Sequence, residues 1–459
     1  MKNINKIIEY GLYLLVFILP VQTRWIIKAG EINGGYSEYN TISLFGSDIL
    51  LSALLFLFVI YKFQTGNKSE INPKFQIQNY WRFIAALELF IFISIFFAPD
   101  KLLAVYKYGV FLLGVGFFWL IAGANYNKVK LIFSLLAGIL SQAILGIWQF
   151  LTQSSFSSKW LGLAAHKAGE LGVSVIEVIG SDGVGERWLR AYGGLDHPNV
   201  LGGLLAVGIL LIVASSLRTN KDKNQTQNSK LKTQNRNLKL KVLFFVTCYL
   251  LLVACLFFTF SRGAWLGLAT GFIIIFALLA WKKDFIRLKK FLELALIGGV
   301  MTFLLFNVYG DLARTRIYGG TRLENKSYVE RISSMEEAKE IIKNKWLFGA
   351  GMGNYTLELR NNEKKYRPSF YFQPVHNVFL LVWAEIGLFG LLAFLGLLAA
   401  LARQAVKAGK AFCGLPVLSA FIIMMFVDHW LWSLRFGMLF FWLIMGLLVR
   451  NEDMEQNVI

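Results

Sequence analysis

The sequence predicts an all-α polytopic membrane protein. Three observations carry that reading. Of the 459 residues, 56% are hydrophobic and only 16% are charged, and the mean hydropathy is +0.54, well beyond the usual soluble composition. Apolar runs of about 18 to 20 residues recur along the chain, each long enough to cross the hydrocarbon core. The runs are continuous rather than alternating, which excludes a transmembrane barrel.

Twelve spans are expected, at about 7–23, 47–62, 82–98, 102–122, 129–151, 198–217, 242–260, 263–281, 291–309, 375–401, 411–427 and 431–449. The first follows the basic start MKNINK, as a signal peptide would. The residues after it, Gln22-Thr23-Arg24-Trp25, make a poor cleavage site, so it reads as a retained helix.

Alternating the connections tests orientation. Arg218–Lys241 holds eight Lys/Arg against one Asp, and Lys282–Lys290 holds five against one. The basic excess falls on one parity, as the positive-inside rule requires, which places both termini in the cytoplasm. The net charge of +19 is therefore topology and contact with anionic membrane lipids, and no nucleic-acid partner is expected. Cys248, Cys255 and Cys413 all lie in apolar runs and read as packing residues, without metal or disulfide spacing.

The chain then divides into helices 1–5 (1–151), an extracytoplasmic loop (152–197), helices 6–9 (198–309) with a basic disordered cytoplasmic loop (218–241), a large extracytoplasmic loop (310–374), helices 10–12 (375–449) and a cytoplasmic tail (450–459). In the large loop, Val329, Ile332, Met335, Ala338 and Ile342 recur at helical spacing. Ser327 and Glu330 fit a capping box. An amphipathic surface helix before helix 10 is expected. GAGMGNY (349–355) follows it and lacks the preceding strand of a dinucleotide motif, so it reads as a tight turn.

Four places on the outer side carry candidate chemistry. Arg262, in SRGAWLGL, sits at a near-zero-length connection between two spans, and is either a snorkelling side chain or a held cation in need of a partner. Arg331 lies beside the apolar stripe of the surface helix and is either solvated, near Glu330 and Glu337, or turned to the membrane interface. His376 lies at the start of the tenth span, beside Asn377 and after Pro374. It is either an interfacial cap or a base for a hydroxyl nucleophile. Glu385 is nine positions further on and too deep to orient it. RAYGGLDHPNVLGG brings Arg190, Asp196, His197 and Asn199 to the point where the chain returns to the membrane, and otherwise reads as a structural turn with Pro198 starting the helix. Arginines with a histidine suit an anionic membrane-embedded substrate and a hydroxyl acceptor. No closely spaced outward carboxylate pair suggests a metal; Glu452, Asp453 and Glu455 fall in the inward tail.

These segments resemble the O-antigen ligase superfamily, which also holds polysaccharide polymerases and bacterial O-linked oligosaccharyltransferases. SRGAWL, the long loop with ERISSM and LFGAGMGNY, and HNVFLLVWAEIGLFG carry the likeness, over about 190–445. The resemblance implies twelve helices, a large periplasmic loop, and metal- and cofactor-independent, inverting transfer of a glycan. The donor would be a polyprenyl (undecaprenyl) diphosphate carrier and the acceptor a lipid or protein hydroxyl. It also implies a bacterial cytoplasmic-membrane enzyme of polysaccharide or lipopolysaccharide biosynthesis, with its site facing the periplasm. The family's Arg-x-x-x-Leu pattern falls on Arg262 with Leu266. Arg331 is followed by Met335, a departure. His376, Arg262 and Arg331 would be catalytic. Arg262, Arg331 and Arg190 would bind the diphosphate, supported by Asn377, His197 and Asn199. A polymerase, a protein O-oligosaccharyltransferase, or a twelve-helix transporter or flippase are the rival readings; Glu88 is the one mid-span acid that suits a transporter.

Overall fold

In lipid, backbone polar groups must be satisfied within the chain, so continuous apolar runs become helices. The computed structural model describes residues 2–65, 79–170, 172–179, 185–217, 231–407 and 411–450. The helices that answer the apolar runs are α1 (Lys2–Ile18), α2 (Gly46–Thr65), α3 (Asn79–Ser94), α4 (Lys101–Gly123), α5 (Lys128–Thr152), α6 (Pro198–Ser216), α7 (Leu231–Thr259), α8 (Arg262–Trp281) and α9 (Phe285–Val308). The loop after α9 holds α10 (Gly310–Tyr318), α11 (Arg322–Lys345) and α12 (Tyr355–Asn362). Then come α13 (Val378–Lys407), α14 (Ala411–Val427), α15 (Trp430–Ser433) and α16 (Arg435–Val449).

Eight of these helices are long and apolar enough to cross a membrane, and three shorter apolar helices accompany them. The protein is a multi-pass, mainly helical membrane protein. Helix α6 is the most enclosed of the eight, lying among α7, α8 and α14. Helix α16 packs on α4 and α13 on α3, so the two ends of the chain share one core. Side-chain caps fix several helix starts: Asp100 on Leu103 N, Asn127 on Lys130 N, Ser261 on Ala264 N and Asp284 on Arg287 N.

Several expectations need correction. The all-α reading holds for the spans, but among the described residues three small antiparallel sheets occur in the connections. Strand β1 (Arg24–Lys28) pairs with β4 (Ile42–Phe45), β2 (Glu31–Ile32) with β3 (Gly35–Tyr36), and β5 (Val175–Ile179) with β6 (Gly185–Leu189). Asn33 and Gly34 both take positive φ between β2 and β3, the two-residue hairpin turn that Asn-Gly favours. The capping box is not used. Helix α11 begins at Arg322, so Ser327 lies inside it. Its apolar stripe divides: Ala338 and Ile342 are buried, whereas Val329 is 63% and Ile332 46% exposed. Of the basic connection expected to be disordered, residues 218–230 lie outside the described residues, and from Leu231 the chain is already α7. Tail residues 451–459 also lie outside them.

The tenth span is broken. Inside α13, Gly387 adopts φ 75° and ψ 180°, a region essentially confined to glycine. The glycine turn after α11 fills the break. Ala350 N donates to Ala384 O, Gly351 N to Glu385 O, and Leu388 N to Trp346 O. Gly349, Gly351 and Gly353 all take positive φ. A Cβ on Gly387 would lie 2.0 Å from Leu347 O, and one on Gly349 would lie 2.3 Å from Glu385 O. The backbone at Leu347 and Phe348 therefore excludes a side chain at Gly387, and that at Glu385 and Ile386 excludes one at Gly349. Gly387→Ala is expected to destabilise the fold by roughly 2–4 kcal/mol. Gly299→Ala, whose Cβ would meet nothing within 4 Å, should leave stability unchanged or slightly raised. Thermal unfolding of the detergent-purified variants checks this, and equal melting temperatures would refute the lock.

Candidate functional site

The site is assembled from connections at one end of the spans. Between α7 and α8 the chain turns within Phe260 and Ser261, and Phe260 takes a left-handed φ of 46°. That turn is held by Arg190, which follows β6 and is only 3% exposed. Its Nε donates to Thr259 O (2.7 Å), Nη1 to Ser174 Oγ (2.7 Å), and Nη2 to Asn199 Oδ1 (2.8 Å) and Phe260 O (3.4 Å). Asn199 passes the chain of contacts on, donating from Nδ2 to Asp428 Oδ2 at 2.7 Å. Arg190 thus spends its guanidinium on protein acceptors. Burial pushes its pKa well down, reinforced by Arg316.

Three arginines meet across a recess lined by Asn199, Arg262, Arg316, Arg331, Asp428 and Trp430. Arg262 is the first residue of α8; its Nη2 lies 3.3 Å from Glu324 Oε2, and its Nη1 donates to Arg316 O at 3.2 Å. Arg316, on α10, donates from Nε to Phe260 O at 3.0 Å and pairs through Nη1 with Glu324 Oε1. Arg331, on α11, forms no side-chain hydrogen bond or ion pair among the described residues. Burial lowers its pKa, an effect that Asp428 opposes. Three guanidinium groups against Glu324 and Asp428 leave one net positive charge. An arginine held between protein walls without a partner is a costly cation unless an anion joins it.

The tenth span begins at Val378, so His376 and Asn377 precede it. His376 Nδ1 lies 3.9 Å from Asp428 Oδ1 and makes no hydrogen bond. Its ring centroid is 5.1 Å from that of His429. The Nδ1 of His429 is 2.6 Å from Ser433 Oγ. Burial keeps the histidines neutral. It pushes His376 below its ordinary value, with Asp428 opposing and Arg331 reinforcing, and pushes His429 down to about 4. The Asp428 pKa is lowered: burial raises it, but coulombic attraction to the neighbouring histidines, which acts only when their rings are protonated, and the Asn199 hydrogen bond lower it. A further bond from His429 N at 2.7 Å holds the carboxylate whatever the charge on the rings. The donor atoms of His376, Asp428 and His429 lie within 4.8 Å of one another. Such a set can ligate a divalent ion, while the nearby Arg331 opposes a cation there.

The expected residues therefore separate into two groups. Arg262, Arg331 and His376 converge around Asp428. The other four serve the scaffold. Arg190 braces the α7–α8 turn, and Asn199 bridges Arg190 to Asp428. His197 Nδ1 accepts from Asn199 N at 3.1 Å to cap α6, and burial, with Arg190 adding to it, pushes its pKa down to about 3. Asn377 caps α13 through Leu380 N at 3.0 Å. Glu385, as expected, does not orient His376; it accepts from Trp432 Nε1 at 2.8 Å. The sequence reading missed Arg316, Glu324, Asp428 and His429. The signal for the last two was present: Asp428-His429-Trp430 interrupts an apolar stretch on the same parity as His376.

The segment from α7 through the middle of α13 supplies three of the recess arginines and His376. Residues 247–395 match the O-antigen ligase family. Over that segment the chain is similar to the O-antigen ligase family. No curated protein matches it. The O-antigen ligase match takes in SRGAWL, ERISSM, the glycine turn and HNVFLLVWAEIG together; Arg190, Asn199 and Asp428 lie outside it.

A stability comparison separates the two groups. Arg190→Lys, which loses the fork that spans Thr259, Ser174 and Asn199, is expected to cost about 2–5 kcal/mol. Arg331→Gln, which breaks no hydrogen bond, should leave the melting temperature unchanged or raise it. A lower melting temperature for Arg331→Gln than for Arg190→Lys would reverse the assignment.

Proposed function

We propose that this chain is an O-antigen ligase superfamily member and transfers a glycan from a polyprenyl diphosphate carrier to an acceptor hydroxyl at the periplasmic face of the bacterial cytoplasmic membrane. One observation carries the reading: Asp428, 3.9 Å from His376 Nδ1, also lines the recess of Arg262, Arg316 and Arg331. A base and an anion site are thereby joined through one carboxylate. The basic connections on the opposite parity support the periplasmic placement and cytoplasmic termini.

In this reading Arg262 and Arg331 hold the donor diphosphate, with Arg316 backing them through Glu324. The acceptor oxygen attacks the anomeric carbon in line. The new C–O bond forms as the sugar–phosphate bond breaks, the electron pair leaves with the diphosphate, and the anomeric centre inverts. The hydroxyl proton passes to neutral His376. The arginines meet the charge that develops on the leaving group, so no metal is required. Arg190 and Asn199 act through Asp428 rather than on the donor. A polymerase or a protein oligosaccharyltransferase would use the same donor chemistry with another acceptor. Short polymer ladders in a deletion strain mark a polymerase; long polymer retained on the carrier marks a ligase.

His376→Ala should abolish transfer in proteoliposomes supplied with lipid-diphosphate glycan, while the protein still inserts and melts normally. Activity should persist in EDTA; its loss there would instead assign the His376–Asp428–His429 cluster to a metal. Retained full activity in His376→Ala would sink the role.

The pH profile gives a second check. A base works unprotonated, and burial has lowered the pKa of His376. Activity should therefore hold as pH falls through the ordinary histidine value of about 6.5, and fail only below it. An acid limb at or above that value would contradict the assignment.

A further inference from the structure

Two of the chain's four histidines meet at one carboxylate. One donor atom each from His376, Asp428 and His429 lies within 4.8 Å of the others, and no other three His, Cys, Asp or Glu side chains among the described residues come together in this way. Each member has a lone pair to give. His376 Nδ1 is buried without a hydrogen-bond partner, 3.9 Å from Asp428 Oδ1. The Ser433 hydroxyl donates to His429 O at 3.1 Å, so it accepts from His429 Nδ1–H at 2.6 Å, and the neutral ring keeps its lone pair on Nε2. An imidazole held through one nitrogen and bare at the other is the form that metals bind. Asp428 accepts from Asn199 Nδ2 at one oxygen and from His429 N at the other. A carboxylate has about four acceptor positions, so each oxygen retains one.

The donor set selects the metal. Two imidazole nitrogens and one carboxylate oxygen make a three-ligand zinc site with a fourth position open. Tetrahedral coordination at ~2.1 Å places donors about 3.4 Å apart. Against that spacing, the 3.9 Å from His376 to Asp428 and the 4.8 Å bound on the rest leave roughly 0.5–1.4 Å to close, within the reach of side-chain torsions. Magnesium and calcium prefer shells of oxygen and are disfavoured by the two rings. The His376 side chain is 26% exposed, which gives an ion a way in.

Arg331 opposes the ion. Its charge acts on both rings, and one carboxylate offsets only half of a divalent charge. Such a site binds reversibly and does not hold a permanent structural zinc. Its occupation has a chemical consequence. A neutral imidazole has one lone pair, and once a metal takes it the ring can accept no proton from a hydroxyl. We infer that His376, Asp428 and His429 bind a zinc ion, and that zinc reversibly inhibits the protein by occupying its base. The binding stands on the geometry of the cluster; the inhibition rests on the transfer reading above.

Binding can be tested without turnover. Isothermal titration of the full-length detergent-purified protein, freed of any histidine tag, would use zinc chloride as the probe, with magnesium and calcium chlorides as controls. One zinc per chain should bind saturably. Its affinity should fall by about tenfold or more in His429→Gln and in His376→Ala, and rise several-fold, by about a factor of ten, in Arg331→Gln, which removes the opposing charge. His166→Gln, which alters a ring stacked on Tyr192, should change nothing. In proteoliposomes, zinc should silence transfer by the unsubstituted protein and excess EDTA should restore it. His429→Gln should keep the greater part of its own zinc-free rate at that zinc concentration. Absence of saturable zinc binding, or full affinity in correctly melting His429→Gln and His376→Ala, would overturn the site. Equal inhibition of His429→Gln would place the metal on the donor diphosphate instead, and would overturn the inhibition. Retained transfer in His376→Ala would remove the base while leaving the zinc titration as it stands, so the two readings fail separately.

Discussion

The site depends on one carbonyl. Phe260 takes a left-handed conformation, and its oxygen accepts from both Arg190 and Arg316. Two buried guanidinium groups converging on one turn would repel each other and lose hydration. Arg316 is offset by Glu324, the same carboxylate that faces Arg262. Arg190 has no buried anion of its own and relies on neutral acceptors at Thr259, Ser174 and Asn199. The α7–α8 turn, the start of α6 and the α14–α15 connection therefore move together, because Arg190, Asn199 and Asp428 are one hydrogen-bonded series. Position at Arg262 and position at Asp428 are set by the same turn.

The other fixed wall is the broken tenth span. Irregular backbone at membrane depth is tolerated only where protein or water satisfies it, and here the strand of backbone from Trp346 to Gly351 does so. The break leaves a short half-helix between Val378 and Ile386. His376 stands just before it and Glu385 near its end, where Trp432 binds the carboxylate. The far end of the half-helix is thus tied to the 428–433 segment through Trp432, while at its start His376 faces Asp428 at 3.9 Å. The large loop does more than cover the site, because its glycine turn completes the helix from which the histidine is presented.

Eight of the twelve expected spans were legible because a helix in lipid must carry a long apolar run, which survives as a sequence signal. His376, Arg262 and Arg331 stood out as candidates because charge at a membrane boundary is rare. Arg190 was equally visible, but visibility does not say which way a guanidinium points; only the placement of Thr259, Ser174 and Asn199 around it shows that it is spent on the scaffold. Arg316 and Glu324 were hidden among the many surface charges of a long loop, and their pairing spans a helix break that no periodicity reveals. The short sheets escaped because strands of two to five residues carry too little alternation to register. The Ser327 capping box failed because Thr321 and the buried Glu324 start α11 earlier, where an ion pair with Arg316 outweighs a local cap.

The electrostatics of the arginine recess bear on the histidines. Arg331 and burial both disfavour protonation of His376, which keeps its ring neutral but also makes it a weak base. An anion against Arg262 and Arg331 would cancel part of that field. The proton affinity of His376 would rise while such an anion is bound, and fall again when it leaves. Asp428, which lines the arginine recess and faces the ring, is held by Asn199 and by His429 N. Under the proposed transfer, His376 would be the stronger base only while an anion occupies the arginine recess.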